Sequence, residues 1–187
     1  MKRVLTIVFA LWLFTGCVYG QEITARQVQS VEAEVAVGTC VGLNKCGYDT
    51  NRWGKTARAE VKYCLPSGVM DFGLGVSAMR MERIINDPPR TATFPTLNVF
   101  MVGNYNWTPA NYLSVFCGLE IGASHWSTLS FANSPEKVPE AWSPMLAPRL
   151  GIELWERLRL TASLNFAAES TSYLGLTIGY SIGGKRK

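Results

Sequence analysis

The sequence predicts an all-β protein: an eight-stranded antiparallel up-and-down transmembrane β-barrel. Three observations predict it. Apolar and polar residues alternate with period two in eight successive segments, the connections between segments alternate between short and long, and the polar face is rich in Gly, Ser, Thr and Asn with sparse charges of both signs. The composition is compatible with this. A chain of 187 residues fits one domain, and 48% hydrophobic residues exclude disorder. The formal charge of +4 is too small and too scattered for a nucleic-acid-binding surface. Mean hydropathy is only +0.08, and the long apolar run sits at the extreme N-terminus, which excludes a bundle of membrane helices.

That N-terminal run has the form of an export signal. Met1-Lys2-Arg3 is basic, Val4 to Phe14 is apolar apart from Thr6, and Val18-Tyr19-Gly20 supplies small or branched residues for cleavage. Residues 1–20 are therefore expected to be a signal peptide and residues 21–187 the barrel domain. Phe14-Thr15-Gly16-Cys17 resembles a lipobox, which leaves open a second reading in which Cys17 is lipidated and becomes the new N-terminus. Removing the signal leaves 16 basic against 14 acidic residues, so the folded body is nearly neutral. Four cysteines remain in an exported chain, where disulfides persist; Cys40 and Cys46 bracket a short Gly-containing loop and are the candidate pair.

The strands follow in order. Glu32 and Glu34 oppose Val31, Ala33, Val35 and Val37; Arg58, Glu60 and Lys62 oppose Ala57, Ala59, Val61, Tyr63 and Leu65; Asp71, Gly73, Gly75 and Ser77 oppose Met70, Phe72, Leu74 and Val76. The fourth sets Asn98 and Asn104 against Leu97, Val99 and Met101. The fifth sets Ser114, Gly118, Glu120 and Gly122 against Leu113, Val115, Leu119 and Ile121. Arg149, Gly151 and Glu153 then oppose Leu150, Ile152 and Leu154, and Arg159, Thr161, Ser163 and Asn165 oppose Leu158, Leu160, Ala162 and Leu164. The last strand opposes Gly175, Thr177, Gly179 and Ser181 to Leu174, Leu176, Ile178, Tyr180 and Ile182. Tight turns are expected at Ser67-Gly68, at Thr108-Pro109-Ala110 and at Glu156, and longer loops at about residues 42–55, 82–93, 125–143 and 167–171. Short turns on one rim and longer loops on the other are the topology of an outer-membrane barrel.

The choice of inner face follows from two features. Tyr63, Tyr105, Trp107, Trp155 and Tyr180 fall near the short-turn or terminal ends, where an interfacial girdle sits. The polar face carries too few Lys and Glu for a water-facing surface. The apolar face therefore meets lipid, and the polar face fills the lumen. Two charge clusters are expected there: Glu32, Glu34, Arg58, Glu60, Lys62 and Asp71 on the first three strands, and Glu120, Arg149, Glu153 and Arg159 on strands five to seven. Turn geometry puts Glu153 opposite Arg159, Gly151 opposite Thr161, Lys62 opposite Gly73 and Asp71 opposite Cys64. Around Pro109 it puts Asn98 opposite Glu120, with Phe100 covering Gly118. Eight strands enclose a space only wide enough for side chains, so these charges should pair and plug the lumen; a narrow pore is the rival reading.

Four strings carry a family resemblance: Val102-Gly103-Asn104-Tyr105-Asn106-Trp107-Thr108-Pro109, Cys117-Gly118-Leu119-Glu120-Ile121-Gly122, Ala147-Pro148-Arg149-Leu150-Gly151-Ile152-Glu153-Leu154, and Tyr173 to Ile182. In order and spacing they resemble the small eight-stranded outer-membrane β-barrel proteins of the OmpA/OmpX-like kind, over roughly residues 27–183. The resemblance implies a monomer in the bacterial outer membrane, in contact with its lipid and inserted by the barrel-assembly machinery. It implies a non-enzymatic role in envelope integrity or in surface interaction, with any surface ligand met by the outer loops. Members often end on a terminal aromatic residue, whereas here Ile182 is followed by Gly183-Gly184-Lys185-Arg186-Lys187, leaving Tyr180 as the substitute signal. One enzymatic alternative stands beside this. His125 and Ser127, with Glu136 or Glu140, have the residue types of a hydrolytic triad and resemble the His-x-Ser pair of outer-membrane lipid A deacylases, although there the pair lies on a later strand. No sequence motif calls for a metal or other cofactor.

Overall fold

The computed structural model describes residues 31–43, 50–86, 89–110, 112–126, 129–131, 137–138, 141–167 and 172–184. The expected signal segment and Cys17 lie outside them, as does Cys46. Eight strands form the wall: β1 (Val31–Gly42), β2 (Thr50–Cys64), β3 (Met70–Asn86), β4 (Pro89–Ala110), β5 (Leu113–Trp126), β8 (Ala141–Leu154), β9 (Leu158–Asn165) and β10 (Tyr173–Gly183). Each pairs antiparallel with its neighbour, and β1 pairs with β10 to close the ring, so no wall strand has a free edge within the barrel. Two short strands, β6 (Leu129–Phe131) and β7 (Lys137–Val138), lie outside the ring, where β6 pairs with β4.

The register fixes the shape of the barrel. Arg80, Lys55, Thr39, Leu176, Ala162, Leu150, Cys117, Tyr105 and Met70 are successive cross-strand partners around the wall. A circuit that leaves β3 at Arg80 therefore returns to it at Met70, ten residues nearer the β2–β3 turn. With a rise of about 3.3 Å per residue and about 4.8 Å between strands, that stagger tilts the strands by about 40°. The alternation then decides what faces where. Val35 and Leu74 point outward and are 65% and 66% exposed, whereas Glu34 and Lys62 point inward and are 2% and 1% exposed. An apolar wall of this extent around a charged interior is stable only where lipid covers it.

The turns agree with expectation in two cases and depart from it in a third. Leu65 and Met70 are joined backbone to backbone, and Gly68 N–H donates to the Leu65 carbonyl at 2.8 Å, so the loop is Pro66–Val69 rather than two residues. It is centred on the same point, and Lys62 still faces Gly73 and Cys64 faces Asp71. At the β8–β9 turn Trp155 and Glu156 both have positive φ (53° and 55°), and Arg157 N–H donates to the Leu154 carbonyl at 3.1 Å. This is a type I′ turn, whose twist matches that of the strands, and it sets Glu153 against Arg159 and Gly151 against Thr161.

The turn expected at Pro109 is elsewhere. β4 runs on through Pro109, the ladder shifts between Trp107 and Ala110, and the reversal comes after Ala110, which pairs with Leu113. A proline has no N–H for the ladder, and here it sits in a bulge rather than a turn. The register moves by four residues in consequence: Asn98 meets Ser124, Phe100 meets Gly122 and Glu120 meets Val102. The long loop expected over residues 82–93 is also corrected. β3 and β4 continue as paired strands to Asn86 and Pro89.

Candidate functional site

The lumen is the most elaborate site in the molecule. β1 and β2 contribute Glu32, Glu34, Arg58, Glu60 and Lys62, β3 contributes Asp71, and β5, β8 and β9 contribute Glu120, Arg149, Glu153 and Arg159, all on inward positions of their strands. Arg149 Nη1 lies 2.7 Å from Glu60 Oε1 and 3.2 Å from Glu120 Oε1, while its Nε donates to Asn104 Oδ1 at 2.8 Å. Arg58 bridges the same two carboxylates, Glu60 and Glu120. Lys62 Nζ lies 2.8 Å from Glu32, 2.7 Å from Glu34 and 3.7 Å from Glu60. Arg159 Nη1 lies 3.0 Å from Glu34, and its Nε 2.6 Å from Glu153. Asp71 accepts from Asn104 and Asn106 and lies 4.0 Å from Arg159.

The two clusters expected from the alternation are thus one network. Strands one to three and five to seven face each other across the lumen, and the bonds Arg58–Glu120 and Arg149–Glu60 join them. Such pairs repay the cost of desolvating their charges only when their lone pairs and protons are met, and the shared carboxylates with the Asn104 and Asn106 amides meet most of them; Arg58 Nε is left without a hydrogen-bond partner.

Two phenylalanines hold the network in place: Phe116, which the sequence reading does not single out, and Phe100, expected over Gly118 and found over Gly75. Phe116 points inward with Arg159 4.6 Å and Arg149 5.7 Å from its ring centre, and Arg58 lies 5.2 Å from the centre of Phe100. Each ring has a glycine beneath it. A Cβ at Gly151 would fall 2.5 Å from Phe116 Cζ, and one at Gly75 would fall 2.5 Å from Phe100 Cε2. The legible sign is an aromatic at a polar-face position, Phe116 between Ser114 and Gly118.

Towards the long-loop end the lumen turns apolar. Cys40, Met79, Met81, Phe94 and Tyr173 form one buried cluster, and Phe100, Val102, Met145 and Ala147 form another. At the short-turn end a cavity of about 20 Å³ bordered by Glu32, Asp71, Asn106, Glu153 and Arg159 has room for a single water. The sulfur of Cys40 is buried and donates to the Lys55 carbonyl at 3.8 Å; its expected partner Cys46 is outside the described residues.

On the outer wall, His125 pairs with Leu97 and Trp142, and its ring centre is 4.7 Å from that of Trp142. Ser127, Glu136 and Glu140, the other members of the candidate triad, lie outside the described residues. His125 and Trp142, with exposed Trp53 on β2, mark a girdle at the long-loop end. Tyr63, Trp107, Trp155 and Tyr180 mark one at the other end.

Closed ring, charged filling and apolar wall with two girdles define a small transmembrane β-barrel of the bacterial outer-membrane type. No protein-family model and no curated protein matches the chain. Among solved structures it is similar to Neisserial surface protein A, with a TM-score of 0.60 and 10% identity over 83% of this chain and 98% of that one. It is also similar to the outer membrane protein OprG from Pseudomonas aeruginosa, with a TM-score of 0.54 and 10% identity over 84% of this chain and 98% of that one. Both are similarities of fold.

Proposed function

We propose that this chain is exported by a signal peptide at residues 1–20, inserted by the barrel-assembly machinery, and acts as a non-enzymatic monomer whose outer loops serve surface interaction or envelope integrity. One observation carries the reading. A tilted strand crosses the hydrocarbon layer in about 9–11 residues, yet β3 has 17 residues and β4 has 22, and β6 pairs onto the surplus of β4 at Ala92 and Thr93. The chain thus spends residues on a sheet that stands beyond the membrane, and the filled lumen beneath it favours display over transport. Protease treatment of intact cells should cut between Trp126 and Trp142 and leave the barrel whole. Protection of that segment until the membrane is permeabilised would overturn the reading. Replacing residues 127–140 by a Gly/Ser linker should remove surface binding while the heat-modifiable gel mobility of the folded barrel persists.

A further inference from the structure

From the short-turn girdle upward the outward positions of the wall strands are mostly apolar, small or aromatic; the charged ones among the described residues are Lys55, Arg80 and, at the next outward position above Arg80, Glu82. Lys55 on β2 and Arg80 on β3 point outward, both exposed, and they are direct cross-strand partners. Like charges in that relation repel one another. Their height is set by the register: Lys55 is the tenth residue up from Cys64 and Arg80 the eleventh from Met70, where a strand leaves the hydrocarbon layer. Exposed Trp53 stands beside them at the interface, and directly below lie Ala57 and Ala78, which pair with each other and leave the space under the two cations open.

A second feature begins at the same place. The outer wall carries an apolar groove of about 600 Å³ bordered by Val37, Thr39, Leu160, Ala162, Leu176 and Leu150. Thr39 is the cross-strand partner of Lys55, and the groove follows the row Thr39, Leu176, Ala162, Leu150 as far as Val115 on β5. Five strand spacings at about 4.8 Å, inclined by about 40°, descend roughly 15 Å, the depth of one leaflet.

We infer that Lys55 and Arg80 hold the phosphate of an outer-leaflet lipid headgroup, and that the groove beside them seats one of that lipid's acyl chains. The guanidinium gives a planar two-pronged donor and the ammonium a point charge, the pair of groups suited to a phosphate placed between them. A phosphate there converts the repulsion between the two cations into attraction to a shared anion.

The test uses the folded protein in detergent micelles, with lipid retention read by native mass spectrometry. Phosphatidic acid should be retained about tenfold better than diacylglycerol of the same chains, a difference equivalent to one good ionic contact. Lys55→Gln/Arg80→Gln should lose that preference, Lys55→Arg/Arg80→Lys should keep it, and Arg157→Gln at the opposite rim should leave it unchanged. Ala162→Phe, which fills the groove, should weaken retention of phosphatidic acid. Heat-modifiable mobility identifies the folded fraction of each variant. Equal retention by wild type and the double glutamine variant would overturn the proposal. So would displacement of phosphatidic acid by equimolar inorganic phosphate, because the site would then be one for a free anion.

Discussion

Arg149 is the residue on which the lumen turns. It meets Glu60 and Glu120, takes Asn104 as a further partner and lies over Phe116. Replacing it by methionine keeps the bulk and leaves two carboxylates with less cationic cover, at a cost of about 3–5 kcal/mol. Urea unfolding in lipid vesicles, followed by the loss of heat-modifiable mobility, measures this. Adding Glu60→Gln to the same chain should recover part of the loss, whereas a purely steric role for Arg149 would give no recovery. The alternation places each of these charged residues on the polar face of its strand. It does not tell which of them meet, because Arg149 and Glu60 are 89 positions apart and come together only when the sheet closes. Phe116 is legible only as an aromatic on the polar face of its strand; its role becomes meaningful once Gly151 is known to lie beneath it.

At the scale of elements, turns with their own chemistry were legible and prolines misled. The β2–β3 loop and the β8–β9 turn each fix a centre of symmetry, and the partners follow from it. Pro109 has the composition of such a centre, but a bulge accommodates it and β4 continues. Pro95, within the same strand, pairs only with Arg80 of β3, since the β4–β5 ladder begins at Thr96. The extension of β3 and β4 past the membrane was hidden for a different reason. Beyond the lipid no face must be apolar, so period-two alternation fades although the strands persist. The β8–β9 turn yields a prediction of its own. Trp155 and Glu156 occupy left-handed backbone conformations that glycine adopts without strain, so Glu156→Gly should raise stability by about 1 kcal/mol, read from the same urea midpoint. An unchanged or lowered midpoint would show that the Glu156 side chain contributes more than its backbone costs.

For the whole molecule, the fold class was legible because alternation and loop asymmetry are properties of the entire chain. The stagger of ten residues, which sets the tilt and brings distant charges into contact, required the register. Ion pairs, arginine-capped aromatic rings and apolar clusters fill the lumen together, so the folded protein in a planar bilayer should give no steady conductance. A reproducible single-channel current would contradict a plugged lumen. The central claim is that apolar side chains face lipid while charges face one another inside. It is tested most directly by spin labels placed singly at Phe72, Leu74, Val76, Ala78 and Arg80 along β3, in a chain whose native cysteines are replaced by alanine and which is folded into lipid vesicles. The account predicts access to dissolved oxygen at Leu74 and Val76, decline towards Ala78, and access to a water-soluble nickel chelate at Arg80. Uniform access of all five positions to the nickel chelate would contradict it.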